Sequence, residues 1–237
     1  MPNTQFGPLT ILFPIYPGVT HLDFTGPQQF FARLPGVRTI VASVEGEPIT
    51  SDGLSFCRLT ALEQVEHCDV LCVPGGFGFI DAILETRFLS AIRSLAQGAR
   101  YITSVCTGSL ILGAAGLLQG KRAACHWAWR EFLPLFGAIP DAGRVVRDAN
   151  IITGGGVTAG IDFALTLTAE ITHPDIARTV QLSLEYAPAP PFESGTPDRA
   201  PADMVSRVRA YHAKAAGRRQ AALEEFAAGC RDLSKRA

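Results

Sequence analysis

The chain has 237 residues, a formal net charge of -1, 47% hydrophobic residues and 18% charged residues. This length suits one large α/β domain, and the apolar content is sufficient for a buried sheet. The near-neutral charge does not indicate a nucleic-acid or anionic-membrane surface. The amino terminus lacks a basic segment and its apolar run is too short for a signal peptide or a membrane span, so we expect a cytoplasmic protein.

Runs rich in Val, Ile and Leu alternate with helix-like stretches along the chain, as in a parallel sheet covered on both faces. The predicted strands span 9–15, 37–44, 69–74, 100–106, 143–148 and 151–156. The predicted helices span 22–34, about 78–97, 107–118, 126–136, 157–171 and about 174–187. This order predicts a three-layer α/β sandwich with a mostly parallel sheet, and ligands at the carboxyl ends of its central strands.

The carboxyl-terminal part of the chain differs in composition from the core, which we place at about 8–187. Residues 188–202 are dense in Pro, Gly and Ser and predict a long surface loop. Residues 203–230 resume helical periodicity with many Ala and Arg. We expect this segment to pack on the core or on a second subunit, and we predict a single domain over 1–237.

The six cysteines are few for this length and form no paired, regular clusters, so a disulfide framework is not expected. Cys68 and Cys72 could bind a metal together with His67, but a second ligand pair with zinc-like spacing is missing. The alternative is that both face the buried side of a strand. The other cysteines outside the central turn are interpreted as small hydrophobes or surface thiols: Cys57, Cys125 and Cys230.

Cys106 lies where the chain changes from a β-branched strand to a helix of small residues. A sharp strand-turn-helix junction needs small residues two positions to either side of the turn residue, and Ser104 and Gly108 meet that need. A thiol at a helix N-terminus has a lowered pKa and a more available thiolate. The pattern therefore predicts a nucleophilic cysteine, and the alternative is a buried small residue at a strand end.

A glycine pair, Gly75 and Gly76, follows the third predicted strand. Glycines there allow backbone N–H groups to point into the cleft as an anion or oxyanion hole beside the thiol. The segment is not the G-x-G-x-x-G pattern of a dinucleotide site. The similar GGGVTAG at 154–160 is better explained by close packing of a helix on a strand than by a phosphate cradle.

Two further residues are candidate partners of the thiol. Asp23 begins an apolar helix just after the first strand, so it is expected beside the carboxyl ends of the other strands. It is either an ordinary helix-start carboxylate or a carboxyl in a dry pocket, where its pKa would rise and it could donate a proton. His126, in ACHWAWREF, could reach the cleft or could be a hydrogen-bonded structural histidine.

These residues resemble the ThiJ/PfpI superfamily. The resemblance covers roughly 8–210 and rests on YPGVTHLDFTGP, LCVPGGFG, TSVCTGSLILGAAGLLQGKRAACHW, IITGGGVTAGIDFAL and the loop PPFESGTP. It implies a flavodoxin-like sandwich, similar to class I glutamine amidotransferases, a homodimer, and neither a metal nor an organic cofactor. It also implies that Cys106 is the nucleophile, that Asp23 is its proton donor, and that Thr107 contributes its hydroxyl or backbone N–H.

Within that superfamily the chain is similar to the branch of lyases that hydrate isocyanides. This implies a small-molecule isocyanide substrate, an N-substituted formamide product, a cysteine thioimidate intermediate, and no nucleic-acid or membrane partner. We expect Phe24 and Trp127 to receive the alkyl group. The protease-like branch has histidine directly after the cysteine, so Thr107 at that position counts against a peptidase.

Three other functions use the same fold. A glyoxalase-type enzyme would act on 2-oxoaldehydes with the same cysteine and acid. A redox sensor would oxidise Cys106 to the sulfinate and regulate a partner. The sensory half of an AraC-type regulator would need a further DNA-binding domain, for which we expect no room in the chain.

Overall fold

The computed structural model describes residues 7–217 and 219–234. Its strands are β1 (Leu9–Pro14), β2 (Val37–Ser43), β3 (Ile49–Ser51), β4 (Leu54–Phe56), β5 (Thr60–Ala61), β6 (Val70–Val73), β7 (Tyr101–Val105), β8 (Arg122–Ala123), β9 (Ile139–Pro140), β10 (Val145–Asp148) and β11 (Ile151–Gly154). Its α-helices are α1 (Leu22–Phe31), α2 (Phe79–Leu84), α3 (Thr86–Gly98), α4 (Gly108–Ala114), α5 (Ala159–Ile171), α6 (Pro174–Ser183), α7 (Ala202–Ala216) and α8 (Arg219–Ser234).

Within the described residues, seven strands form one sheet in the order β10-β11-β7-β6-β1-β2-β5. Neighbouring strands run parallel, except that β10 and β11 are antiparallel. Two groups of helices pack against this sheet, one built from α1, α5 and α6 and the other from α2, α3 and α4 with α8 outside α2. The predicted α/β fold with a mostly parallel sheet is confirmed. No α-helix in the described part of the chain is long and apolar enough to cross a bilayer.

The central strands are buried along their whole length, which explains their continuous apolar sequences. In the register of the sheet, Val73 of β6 lies beside Ser104 of β7, and Val105 of β7 lies beside Gly154 of β11. The loops that follow these strands therefore emerge at one edge of the sheet. The loop after β1, which leads into α1, emerges there as well.

Two predicted helices differ from the structure. The segment predicted at about 78–97 is two helices, because Glu85 has extended backbone and its side chain accepts a hydrogen bond from the Arg87 N–H to cap α3. The segment predicted at 126–136 is a turn followed by a 3-10 helix, Arg130–Phe136, which contains Pro134. Proline removes a backbone donor and disfavours a longer α-helix.

Candidate active site

Cys106 occupies a strained turn between β7 and α4. Its φ angle is +60°, a left-handed conformation that is uncommon for a residue with a side chain. Its N–H donates to the carbonyl oxygen of Gly154 over 3.0 Å, which ties the turn to β11. A Cβ on Gly108 would overlap the carbonyl oxygen of Val73, so the start of α4 can approach β6 only as glycine. The small residues expected around this turn therefore serve close backbone packing.

Asp23, in the first turn of α1, lies completely buried beneath the same edge of the sheet. Its Oδ2 accepts the Gly75 N–H over 2.9 Å, whereas Oδ1 receives no hydrogen bond of ordinary geometry. Burial raises the pKa of this carboxyl to about 7, and hydrogen bonds from Gly75 and from the Cys106 thiol oppose that rise. The direction of this shift is the one expected for an acid in a dry pocket.

The Cys106 thiol is almost fully buried, and its pKa is raised rather than lowered. Burial is the largest cause, and the charges of Asp23 and Cys125 add to it; the Thr107 N–H acts in the opposite direction. The sequence-based expectation of a lowered pKa is therefore wrong, because desolvation beside an acid outweighs one helix N-terminus. A thiolate forms here only if the thiol proton has an acceptor close by.

The glycine pair after β6 forms hydrogen bonds to both Asp23 and Thr107. The Gly75 N–H binds Asp23, and the Gly76 N–H donates to Thr107 Oγ1 over 2.9 Å. The Thr107 hydroxyl lies 3.2 Å from the Gly76 carbonyl oxygen, to which it donates. These N–H groups thus position the acid and the threonine, instead of standing free in the cleft for an oxyanion as predicted.

A cavity of about 70 Å³ lies over the thiol. Its lining residues come from six separate parts of the chain: Thr20, Gly76, Phe77, Cys106, Thr107, His126, Trp129, Val157 and His212. Most of the exposed lining is apolar, so charged groups in the cavity are poorly solvated. The cavity brings together Cys106, Thr107, Gly76 and His126, four of the residues singled out from the sequence.

Phe24 and Trp127 are not brought to this cavity. Phe24 packs edge-on against Phe56 with a centroid distance of 5.0 Å, on the hairpin side of α1. Trp127 lines a separate cavity beside the Pro-rich loop, and the Arg209 guanidinium lies 5.4 Å from its ring centroid. The aromatic ring beside the thiol is instead Trp129, two residues further along the same turn.

His126 meets both interpretations considered for it. It lines the cavity, and its Nδ1 accepts the Ala128 N–H over 3.3 Å. Burial, with a smaller contribution from His212, lowers its pKa to about 4, so the ring is neutral at neutral pH. A neutral imidazole that accepts at Nδ1 carries its proton on Nε2.

Three residues of the site are not among those that the sequence analysis singled out. Tyr16 donates its hydroxyl to the Pro74 carbonyl oxygen over 3.0 Å and so fixes the start of the glycine pair. The tip of that loop, Phe77, forms one wall of the cavity, and His212 of α7 forms another. Phe77 stands inside LCVPGGFG and Tyr16 begins YPGVTHLDFTGP, two of the segments that carry the family resemblance, whereas His212 lies in none of them.

Residues 9–170 match the profile of the DJ-1/PfpI family, which is more than half of the chain. The chain belongs to the DJ-1/PfpI family. Isonitrile hydratase of Pseudomonas putida is 54% identical to it over 202 residues, covering 85% of this chain and 89% of that protein. The crystal structure of a ThiJ/PfpI family protein from Pseudomonas syringae has a TM-score of 0.86 and 39% identity, covering 96% of this chain and 94% of that one.

A transcriptional regulator is also similar to this chain. The HTH-type transcriptional regulator CdhR of Pseudomonas aeruginosa is 33% identical over 186 residues, covering 73% of this chain. The match covers 53% of the regulator, so this chain spans about half its length. In the present DJ-1/PfpI protein the family match ends before α6, whereas His212 lies on α7.

Proposed function

We propose that this protein is an isonitrile hydratase, which adds water to an isocyanide, R–N≡C, and releases the N-substituted formamide. The observation that carries the proposal is the completely buried Asp23 carboxyl beside the thiol of the strained Cys106 turn, close enough that each group alters the pKa of the other. The 54% identity to isonitrile hydratase of Pseudomonas putida supports the same conclusion.

The first step uses the one proton that Asp23 and Cys106 hold between them above pH 7. Asp23 takes the proton of the thiol and passes it to the lone pair of the terminal isocyanide carbon. The sulfur then bonds to that carbon, giving the thioimidate Cys106–S–CH=N–R and leaving Asp23 as the carboxylate. One S–H bond breaks while one C–H and one C–S bond form, so a raised thiol pKa is no obstacle when the acceptor is adjacent.

The second step adds water to the same carbon. Asp23 accepts a proton from the water as its oxygen bonds to the thioimidate carbon, and that proton passes to the nitrogen. Loss of the hydroxyl proton to Asp23 then forms the formamide carbonyl and expels the Cys106 sulfur. The pair ends with one proton, as it began, so the cycle needs no external acid or base.

The cavity suits a substrate whose reacting end is thin and uncharged. The isocyano group is linear, and it approaches the thiol between Trp129 and Val157, which present apolar surface. Thr107, held by its two contacts to Gly76, keeps the turn and the glycine loop in register during the reaction. We further propose a homodimer, as the family resemblance implies, and a cytoplasmic location; sedimentation tests the first and cell fractionation the second.

The test is direct assay of formamide formation from cyclohexyl isocyanide by the purified protein. We expect wild type and the Cys57→Ala variant to form N-cyclohexylformamide, because Cys57 is an exposed thiol outside the cavity. We expect Cys106→Ala to form none. Methylglyoxal is assayed in parallel: turnover of the 2-oxoaldehyde without turnover of the isocyanide would contradict the proposal and favour the glyoxalase-type function.

A further inference from the structure

Helix α7 reaches over the cavity from outside the part of the chain that matches the family profile. Its His212 ring lies 4.8 Å from the His126 ring and 5.3 Å from the Phe77 ring, measured between centroids. Tyr211 meets the edge of Phe77 at 5.9 Å. One turn of α7 thus contributes His212 to the wall of the cavity.

The surrounding contacts hold this turn of α7 in place. Arg209 lies over the Trp127 ring, with 5.4 Å to its centroid, and its Nη1 is 3.3 Å from Glu131 Oε1. Both partners belong to the segment that also carries His126 and Trp129. The position of His212 is therefore set by contacts on the same segment that lines the cavity.

The tautomer of His212 is set as well. Trp129 donates its indole N–H to His212 Nδ1 over 3.2 Å, so Nδ1 must accept and the ring proton must lie on Nε2. Burial lowers the pKa of His212, which keeps the ring neutral at neutral pH. The ring therefore carries an N–H donor at Nε2, and His212 is one of the residues that line the cavity over the thiol.

The proposed reaction needs such a donor. When water adds to the thioimidate carbon, electron density moves onto the substrate nitrogen, and a donor placed there stabilises the transition state. The Gly75 and Gly76 N–H groups are bound to Asp23 and Thr107, and the Thr107 hydroxyl is bound to Gly76. These groups cannot serve the nitrogen without breaking the contacts that hold the acid, which leaves the imidazoles of His126 and His212 as donors in the lining.

We propose that His212 donates a hydrogen bond from Nε2–H to the substrate nitrogen during water addition, so that α7 supplies a catalytic residue to the site. This inference rests on the hydratase function proposed above. It assigns a role to a residue outside the segments that the sequence motifs single out.

The test compares His212→Phe, which keeps a ring but removes the donor, with His212→Gln, which keeps a side-chain N–H donor. We expect His212→Phe to lower kcat about 100-fold, the effect of losing one donor of this kind, with little change in KM. The thioimidate should accumulate on Cys106, visible by mass spectrometry of the intact protein, because sulfur attack continues while hydrolysis slows. His212→Gln should recover part of kcat.

Three further variants sharpen the test. His126→Phe is measured beside the His212 variants, and adduct accumulation in His126→Phe alone would overturn the assignment to His212. Trp129→Phe removes the indole N–H, frees the His212 tautomer and should cause a smaller loss of kcat. His67→Phe, at a histidine whose side chain is 60% exposed outside the cavity, should behave as wild type.

Two outcomes with His212→Phe would also overturn the inference while leaving the hydratase function standing. In the first, wild type forms formamide and His212→Phe has the same kcat. In the second, His212→Phe loses activity with a higher KM, a lower melting temperature and no accumulated adduct, which would make His212 a wall of the cavity and nothing more. If wild type forms no formamide, the proposed function fails and this inference fails with it.

Discussion

Asp23 and Cys106 titrate as a pair. Ionised Asp23 raises the pKa of Cys106, while a hydrogen bond from the thiol lowers the pKa of Asp23, which burial nevertheless holds at about 7. The carboxyl therefore loses its proton first, and above pH 7 the pair carries one negative charge and one proton. That is the protonation state which the first step of the proposed reaction requires.

The pH dependence of the reaction follows from this pair. We expect kcat/KM of wild type to rise as the pH increases through about 7, where Asp23 ionises, and to stay level well above the ordinary pKa of a thiol, because the pKa of Cys106 is raised. Asp23→Asn should abolish that rise and lower kcat/KM by about 100-fold or more. A variant that kept the wild-type rate and profile would contradict the role of Asp23.

Ionisation of the buried Asp23 carboxyl should lower the stability of the folded protein at neutral and alkaline pH. Its folded pKa of about 7 lies above the usual 3.8, so the folded state holds the proton more tightly and the free energy of unfolding falls as the pH rises from about 4 to 7. Above pH 7 the free energy of unfolding is lower by at most about 4 kcal/mol than it is below pH 4. Asp23→Asn should thus gain stability relative to wild type at pH 8, and by a much smaller margin at pH 4.5, as measured by urea unfolding. Equal differences at both pH values would contradict this.

At the scale of the elements, the junction of β7 and α4 depends on the close contact between Gly108 and the backbone of β6 at Val73. Gly108→Ala would push its Cβ into the Val73 carbonyl oxygen, so we expect a loss of about 1–3 kcal/mol and a displaced Cys106 with little activity. The matched control is Gly229→Ala in α8, where an added Cβ meets nothing within 4 Å. That variant should gain about 0.5–1 kcal/mol. Equal stability of the two variants would contradict the packing argument.

This junction was predictable because its signal is local. Residues 100–114 carry a β-branched strand, a turn and a small-residue helix without a break, and the structure has β7, Cys106 and α4 in that order. The 3-10 helix Arg130–Phe136 was not predictable, because its apolar spacing is also that of an α-helix. The predicted strands and helices left no place for the β3–β4 hairpin, because its strands have three residues each, too short for a period-two pattern.

The side chains of the cavity were less predictable than the turn. Phe24 and Trp127 are apolar and near the motifs, yet α1 and the segment after Cys125 turn them toward other partners. Which face of an element meets the cavity depends on packing between distant segments. Trp129, two residues from Trp127, reaches the cavity for that reason.

At the scale of the whole molecule, α8 ties the carboxyl-terminal helices to the core. It contacts α2 and the 3-10 helix, and Leu223 has no exposed surface. Leu223→Ala should lower the free energy of unfolding by about 2–5 kcal/mol within one cooperative transition. Leu182→Ala, at a leucine that is 82% exposed, should cost almost nothing. Two separate transitions in the wild type would contradict the prediction of a single domain.

The fold of the whole chain also explains why His212 was not predicted as a site residue from the sequence. It lies on a helix beyond the Pro-rich segment, in a stretch whose composition predicts only a helix rich in Ala and Arg. Its place over the cavity results from the contacts of α7 with Phe77 and with the segment that carries His126 and Trp129. A residue of this kind carries no local motif, so only the folded chain shows it.

The central claim is that Cys106 bonds covalently to the isocyanide carbon. The most direct measurement is intact-protein mass spectrometry of wild type quenched during turnover of cyclohexyl isocyanide, followed by peptide mapping. We expect a mass gain of one isocyanide molecule on Cys106, absent from Cys106→Ala and retained in Cys57→Ala. Formamide production by Cys106→Ala, or an adduct confined to another cysteine, would contradict the account.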